Sequence, residues 1–403
     1  MFPSLSLSRR IRDAGRNALP VLVSILMAAL LAGCATGPAV QTASAPADER
    51  VFYPPLPEAP RIQHLVTLAG ENDLAAPKDD FARFVLGEDK HESRLVQPYG
   101  TAMDRGRLYV VDTGAAALVV FDFAKGAMQV LPGTGSGRLK RPINIRIDAE
   151  GYRYVTDTGR DQIVVYDRAD RFVRAIGEPG QFKPTDLAIV GERLYVVDIQ
   201  HHGVQVLERS TGKFLSHFGK PGSNDGEMFH PTNIAVAPDG DLLVVDTSNY
   251  RVQRFTAAGK FVRAHGTVGS VPGSFARPKG IAVDGAGRIY VSDAAFENVQ
   301  LFDAEGRLLM DFGQPGDGKP GLNLPTGVTI DRGNVEWFRR YARSGFDIEY
   351  LIFVASQFGP NKVDVFGFGK MRGKDYPPEA GVAGARTGNE PVDVAGASRT
   401  AAR

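Results

Sequence analysis

The sequence predicts an all-β protein: a six-bladed β-propeller of four-stranded antiparallel blades, with the last blade closed by the N-terminal strand. Three observations predict it. Six prolines open short β-type runs at nearly constant spacing, at Pro98, Pro142, Pro184, Pro231, Pro278 and Pro325, separated by 44, 42, 47, 47 and 47 residues. A period of this length marks a repeat architecture. In five copies an aspartate follows the proline at a near-constant offset, at Asp112, Asp157, Asp198, Asp246 and Asp293. No window of the repeat unit sustains an apolar repeat at helical spacing, and 46 glycines in 403 residues suit a fold made of turns.

The fourth copy, Pro231 to Gly266, shows the unit. Its strands are predicted at 234–236, 242–245, 252–255 and 260–264, each rich in Val, Leu, Ile or Phe. Pro238-Asp239-Gly240, the segment from Asp246 to Asn249, and Ala257-Ala258-Gly259 supply the turns between them. Four such strands and their loops come to roughly 40 residues, one antiparallel blade. A lone blade has two apolar faces, so neighbours must stack around an axis.

The ring has to close. The sixth copy supplies strands at 328–330, 351–354 and 363–366, then runs into FGKMRGKDYPPEA, which does not read as a strand. The segment from Arg61 to Gly70 resembles the other fourth strands, Lys213 to Gly219 and Arg307 to Gly313. The N-terminal strand is therefore expected to complete the last blade, which leaves no open edge to invite aggregation.

The pattern P-x-G/N-I-A-V-D, G-R-I-Y-V-S-D, N-x-V-Q-x-F, G-x-L-x-x-F-G, clearest over Pro278 to Gly313, resembles the NHL repeat. With YPPLPEAPRI near the start and EYLIFVASQFGPNKV near the end, the chain also resembles a group of bacterial six-bladed NHL lipoproteins. That resemblance implies the propeller and a lipid anchor. It implies no particular chemistry.

Residues 1–33 read as a lipoprotein signal peptide. Arg9, Arg10, Arg12 and Arg16 precede an apolar stretch from Ala18 to Ala32. The stretch ends at Leu31-Ala32-Gly33-Cys34, which resembles the bacterial lipobox, and Cys34 is the only cysteine. At about 15 residues the run is short for a membrane-spanning helix. Cleavage would leave Cys34 as the acylated N-terminus, and several acyl chains anchor stably where one would not. Ala35 follows, which by family analogy favours the outer membrane of a Gram-negative cell. Residues 34–60 read as the lipidated Cys and a flexible Pro/Ala-rich tether, 61–369 as the propeller, and 370–403 as a disordered tail. A net charge of +1 and an export signal argue against a nucleic-acid partner. A monomer with an envelope protein as partner is expected, and no cofactor.

The loops before the first strand and after the second lie at one end of each blade, so twelve loops converge on one rim. Tyr99, Asp186, Asn233 and Lys279 are expected there from the first set, and Arg160, His201, His202, Tyr250, Phe296 and Phe358 from the second. These side chains vary between blades, so they are free to bind. The repeated aspartates read instead as caps on the turns that follow, with Ser356 in the sixth position. His201, His202 and His230 could share one sector, with at most one of the adjacent pair facing His230.

The sixth copy carries an insert at about 332–347. Trp337 and Tyr341, and likewise Phe338 and Ala342, are spaced i, i+4, which predicts a short helix. Trp337, Phe338 and Tyr341 are candidates for a contact on the face opposite the rim. The enzymatic alternative is a metal-dependent hydrolase or lyase resembling gluconolactonase or the peptide-amidating lyase, with calcium or zinc in the channel. Asn144, Asp186 and Asn233 are the channel candidates, with no acidic cluster at a shared phase. No catalytic set with a nucleophile signature is present.

Overall fold

The computed structural model describes residues 50–74 and 93–377. The expected signal peptide, Cys34, most of the tether and most of the tail lie outside the described residues.

The β-forming runs fold into six antiparallel sheets. Blades one to five are contiguous four-stranded meanders, from Pro98–Leu131 to Pro278–Phe312. Their innermost strands begin at the repeat prolines, and each packs on the next around the ring. Proline suits this position because the first residue of a strand can forgo a ladder hydrogen bond. Each proline lies opposite the strand-end residue of its blade, Pro231 opposite Asp246 and Pro325 opposite Ser356. The blades bury their apolar faces against one another in clusters that cross each junction, such as Tyr195, Val244 and Phe255 between blades three and four.

The last blade is closed as the sequence predicts. Its sheet runs in the order Phe52–Tyr53, Ile62–Leu68, Val363–Met371, Phe346–Ser356, Pro325–Asp331. At the innermost strands, Thr101 and Thr329 join blades one and six by hydroxyl hydrogen bonds of 2.9–3.0 Å.

Three expectations need correction here. Residues 50–60 are not all tether: Phe52 pairs opposite Gln63 and packs with Phe346 and Met371, adding a short fifth strand. FGKM, read as non-strand, continues the ladder to Met371, because Phe346–Ser356 extends far enough to pair with it. The start of the expected tail is held too: Tyr376 donates its hydroxyl to the Pro60 carbonyl at 2.8 Å. Each of these segments is ordered by a partner outside its own sequence window, which local composition does not register.

The insert forms two short 3-10 turns, Val335–Trp337 and Arg339–Tyr341, in place of a helix. It seals the junction between blades six and one. Phe338 is fully buried, with Trp337 and Tyr341 packed around it. Asn334 accepts the Gly106 N–H of blade one at 2.8 Å. Gly106 has φ +75, and a Cβ there would lie 2.6 Å from the Trp337 ring. Trp337, Phe338 and Tyr341 are thus largely committed to an internal seam.

Candidate binding rim and channel

The rim is built on the repeated aspartates. Each is fully buried. Asp112, Asp157, Asp198 and Asp293 cap the turn after them through its backbone N–H groups, as expected, whereas Asp246 takes the side chains of Asn249 and Arg251 instead. Asp157 accepts Gly159 N–H at 2.9 Å and Arg160 N–H at 3.1 Å. It also accepts Lys140 and Arg141 N–H from the loop before the proline, at 2.7 and 2.9 Å. Asp112 and Asp293 repeat this double role. One carboxylate therefore ties both rim loops of a blade together, and only the half that follows the aspartate was legible in sequence. Charge-assisted bonds to backbone N–H groups are among the stronger hydrogen bonds.

A second anchor escaped the sequence reading. Leu95, Leu139, Phe182, Met228, Phe275 and Leu322, two or three positions before the prolines, are all nearly or fully buried. The recurring signal was one apolar residue at fixed phase, easily lost among loop residues. The six loops before the prolines are thus pinned at two points each, by the strand-end residue and by a buried apolar side chain.

The histidine sector forms as reasoned. His201 turns back to Asp198 at 2.6 Å. His202 faces His230: its Nδ1 accepts the His230 N–H at 3.0 Å, and its ring stacks on Phe229 at 4.9 Å. Burial, and then His230, hold the His202 imidazole below its usual pKa. His202 has φ 55, as do the equivalent Ala116, Asp161, Tyr250 and Glu297 at 50–56. The left-handed backbone here belongs to the repeated turn.

The other candidates divide. Phe358 is exposed, and Phe296 and Tyr250 are half-buried. Arg160 folds back onto the Ser136 and Arg138 carbonyls at 2.7 Å. Tyr99, Asp186 and Asn233 are not surface residues at all; each is buried. They lie on innermost strands, so ring closure turns them inward. Lys279 is half-buried, and burial, reinforced by Arg277, pushes its ammonium down to about 8. Exposed apolar side chains that the sequence did not single out join the rim: Val96, Phe229, Val268 and Val271.

Arg146 decides what the channel can hold. It projects from blade two to Asp186 of blade three at 2.7 Å and to the Ile234 carbonyl of blade four at 3.3 Å. The same Asp186 oxygen accepts Ile234 N–H at 3.1 Å and Asn233 Nδ2 at 3.3 Å. Burial pushes the Asp186 carboxyl up, and Arg146 and the N–H donors pull against it. Blades one, three, four and five carry Ala102, Ala188, Ala235 and Ala282 where blade two has Arg146. That exception was visible in the sequence and was missed. A guanidinium on the channel carboxylate leaves a poor site for a divalent cation, which needs several anionic or carbonyl oxygens of its own. No group of three or more His, Cys, Asp or Glu suited to a metal occurs among the described residues.

Residues 230–255 match the family model of the NHL repeat. Blade four is an NHL repeat. Solved structures resemble this propeller at low identity. One is a gluconolactonase from Xanthomonas campestris, 17% identical, covering 75% of this chain and 98% of that one with a TM-score of 0.51. Another is a protein of unknown function from Bacteroides thetaiotaomicron, 16% identical, covering 76% and 75% with a TM-score of 0.52. A virginiamycin B lyase from Staphylococcus aureus, 14% identical, covers 68% and 95% with a TM-score of 0.48. At such identities the first two likenesses establish the fold and nothing of the chemistry.

Proposed function

We propose that this NHL propeller is a lipid-anchored scaffold of the cell envelope, tethered through Cys34 and binding another envelope protein with its rim. One observation carries the reading. Large apolar side chains stand exposed on loops that are pinned from beneath: Val96 at 57%, Phe229 at 43%, Val268 at 68%, Val271 at 64% and Phe358 at 51%. A rigid, partly apolar surface with aromatic and imidazole groups is suited to a protein contact, because little entropy is lost in ordering it. The competing reading, a metal-dependent hydrolase or lyase, would require Asp186 to exchange Arg146 for a cation.

The test is cross-linking and affinity recovery from intact cells carrying the full chain. A partner is expected with the wild type, reduced at least about tenfold by Phe229→Ser with Phe358→Ser, as removal of interface anchors does. Recovery of nothing above control would remove the scaffold reading. A stoichiometric metal lost together with a hydrolytic activity would replace it. The mass of the mature N-terminus reads the anchor separately: an unmodified Cys34 would end the lipoprotein part.

A further inference from the structure

The lower end of blade six, opposite the rim, concentrates positive charge. The segments 57–61, 339–349 and 368–376 carry seven Lys or Arg and four Asp or Glu, a net +3 where the whole chain has +1. Contacts place these segments together. Gly369 donates its N–H to the Arg61 carbonyl at 2.8 Å, and Arg372 to that of Gly345 at 2.8 Å. Lys374 donates to the Pro57 carbonyl at 2.5 Å. Two of the four carboxylates are already engaged, Asp347 by Arg372 at 2.7 Å and Glu349 by Arg61 at 3.9 Å. Arg339 and Arg340 are exposed on the insert, and neither makes an ion pair with a described residue. Beside them Tyr341 stands half-buried, its ring 4.9 Å from the Arg340 guanidinium.

This is also where the chain enters the propeller. Phe52 lies on Phe346 and Met371, and Arg343 lies 5.9 Å from the Phe52 ring. Sixteen peptide steps separate Cys34 from Arg50, so the anchor can lie no further than about 55 Å from this end of the propeller. An acylated Cys34 would therefore keep this end of blade six within that reach of the bilayer.

We infer that the basic end of blade six is a docking surface for anionic phospholipid headgroups. The propeller then rests on the membrane by its insert and presents the rim outward. Arginine and lysine near an anionic surface each add attraction that salt screens, and a half-buried tyrosine suits the interface. The inference rests on the lipid-anchored reading for its geometry. Its test does not, since it uses a chain beginning at Ala35, which holds every described strand and lacks Cys34.

The measurement is sedimentation with phosphatidylcholine vesicles, with and without phosphatidylglycerol. Binding is expected only with phosphatidylglycerol, and it should fall as salt rises. Arg339→Glu with Arg340→Glu should weaken it at least about tenfold, with an unchanged thermal transition. Lys140→Glu with Lys183→Glu, on the rim, should leave it unchanged. Equal binding to neutral vesicles, or equal loss from the rim pair, would overturn the inference. Heparin binding as tight as that to phosphatidylglycerol vesicles would overturn the lipid assignment in favour of a general polyanion site. An unmodified Cys34 in cells would end the anchor and leave the vesicle result standing.

Discussion

Blades four and six have the same architecture and are held by different means. Blade four is one contiguous segment with strands of five or six residues. Its Asp246 takes hydrogen bonds from Phe229 N–H, Asn249, Arg251 and Gln253 at 2.7–3.1 Å. Blade six has Ser356 there, taking a single bond from Asn323 N–H at 3.3 Å. Where blade four has Gln253, blade six has Asp364, buried and bonded to Thr67 at 2.5 Å and His64 at 3.1 Å on the N-terminal strand. Two of its strands are longer, 11 residues for Phe346–Ser356 and 9 for Val363–Met371. Where the chain is contiguous, one buried strand-end carboxylate suffices. Where distant ends must meet, loop-closure entropy has to be offset, and extra ladder length with a two-strand carboxylate network offsets it.

The harshest way to break the comparison is to remove the closing strands. A chain starting after Leu68 leaves Val363–Met371 as an open edge and uncovers Phe366 and Phe368. We expect loss of the cooperative thermal transition, with association seen by size exclusion, since unpaired edges recruit other strands. A monomer with a wild-type transition would show that blade six does not need its outer strands.

Next in size is the strand-end residue itself. Asp246→Ala leaves Arg251, whose side chain is 12% exposed, without its carboxylate. We expect a loss of about 3–5 kcal/mol by urea unfolding, against about 1 kcal/mol for Ser356→Ala. Equal losses would refute the division of labour between the two blades.

The smallest effect concerns the outer strands. His265 of blade four has Nε2 buried without a hydrogen-bond partner, and burial, with Arg263, pushes it down to about 4. His64, on the outer strand of blade six, bonds Asp364 and Thr67. A pKa depressed in the folded state means that the unfolded chain binds the proton more readily. The His265 contribution is therefore complete above about 6.5 and lost as pH falls toward about 4. His265→Phe should flatten the fall in stability across that window, by at most a few kcal/mol. An unchanged slope would show that the proton is taken up elsewhere.

The site was legible where its logic is local. The caps by Asp157 and Asp293 on their own turns, and the facing of His202 and His230, follow from residues a few positions apart or from repeat phase. Tyr99, Asp186 and Asn233 were expected on the rim and are buried; Asp186 and Asn233, named also as channel candidates, meet there on the innermost strands, because exposure depends on how six such strands crowd one axis. Arg146 crosses from one blade to two others, so no window of its own blade could announce its partner. Val268 and Val271 stand out only once Phe275, beside them, is seen to be the residue that goes inside.

By itself the sequence determined the number of blades, the strand order within each blade and the strand that closes the ring. These follow from a period, from alternation and from turn chemistry, all carried by neighbouring residues. The tertiary structure alone decided which polar groups the channel neutralises, how far blade six extends, and that the insert becomes a seam between blades six and one. Those outcomes depend on desolvation and packing between segments of different blades or opposite ends of the chain, and burial across such separations is set by the closed ring as a whole.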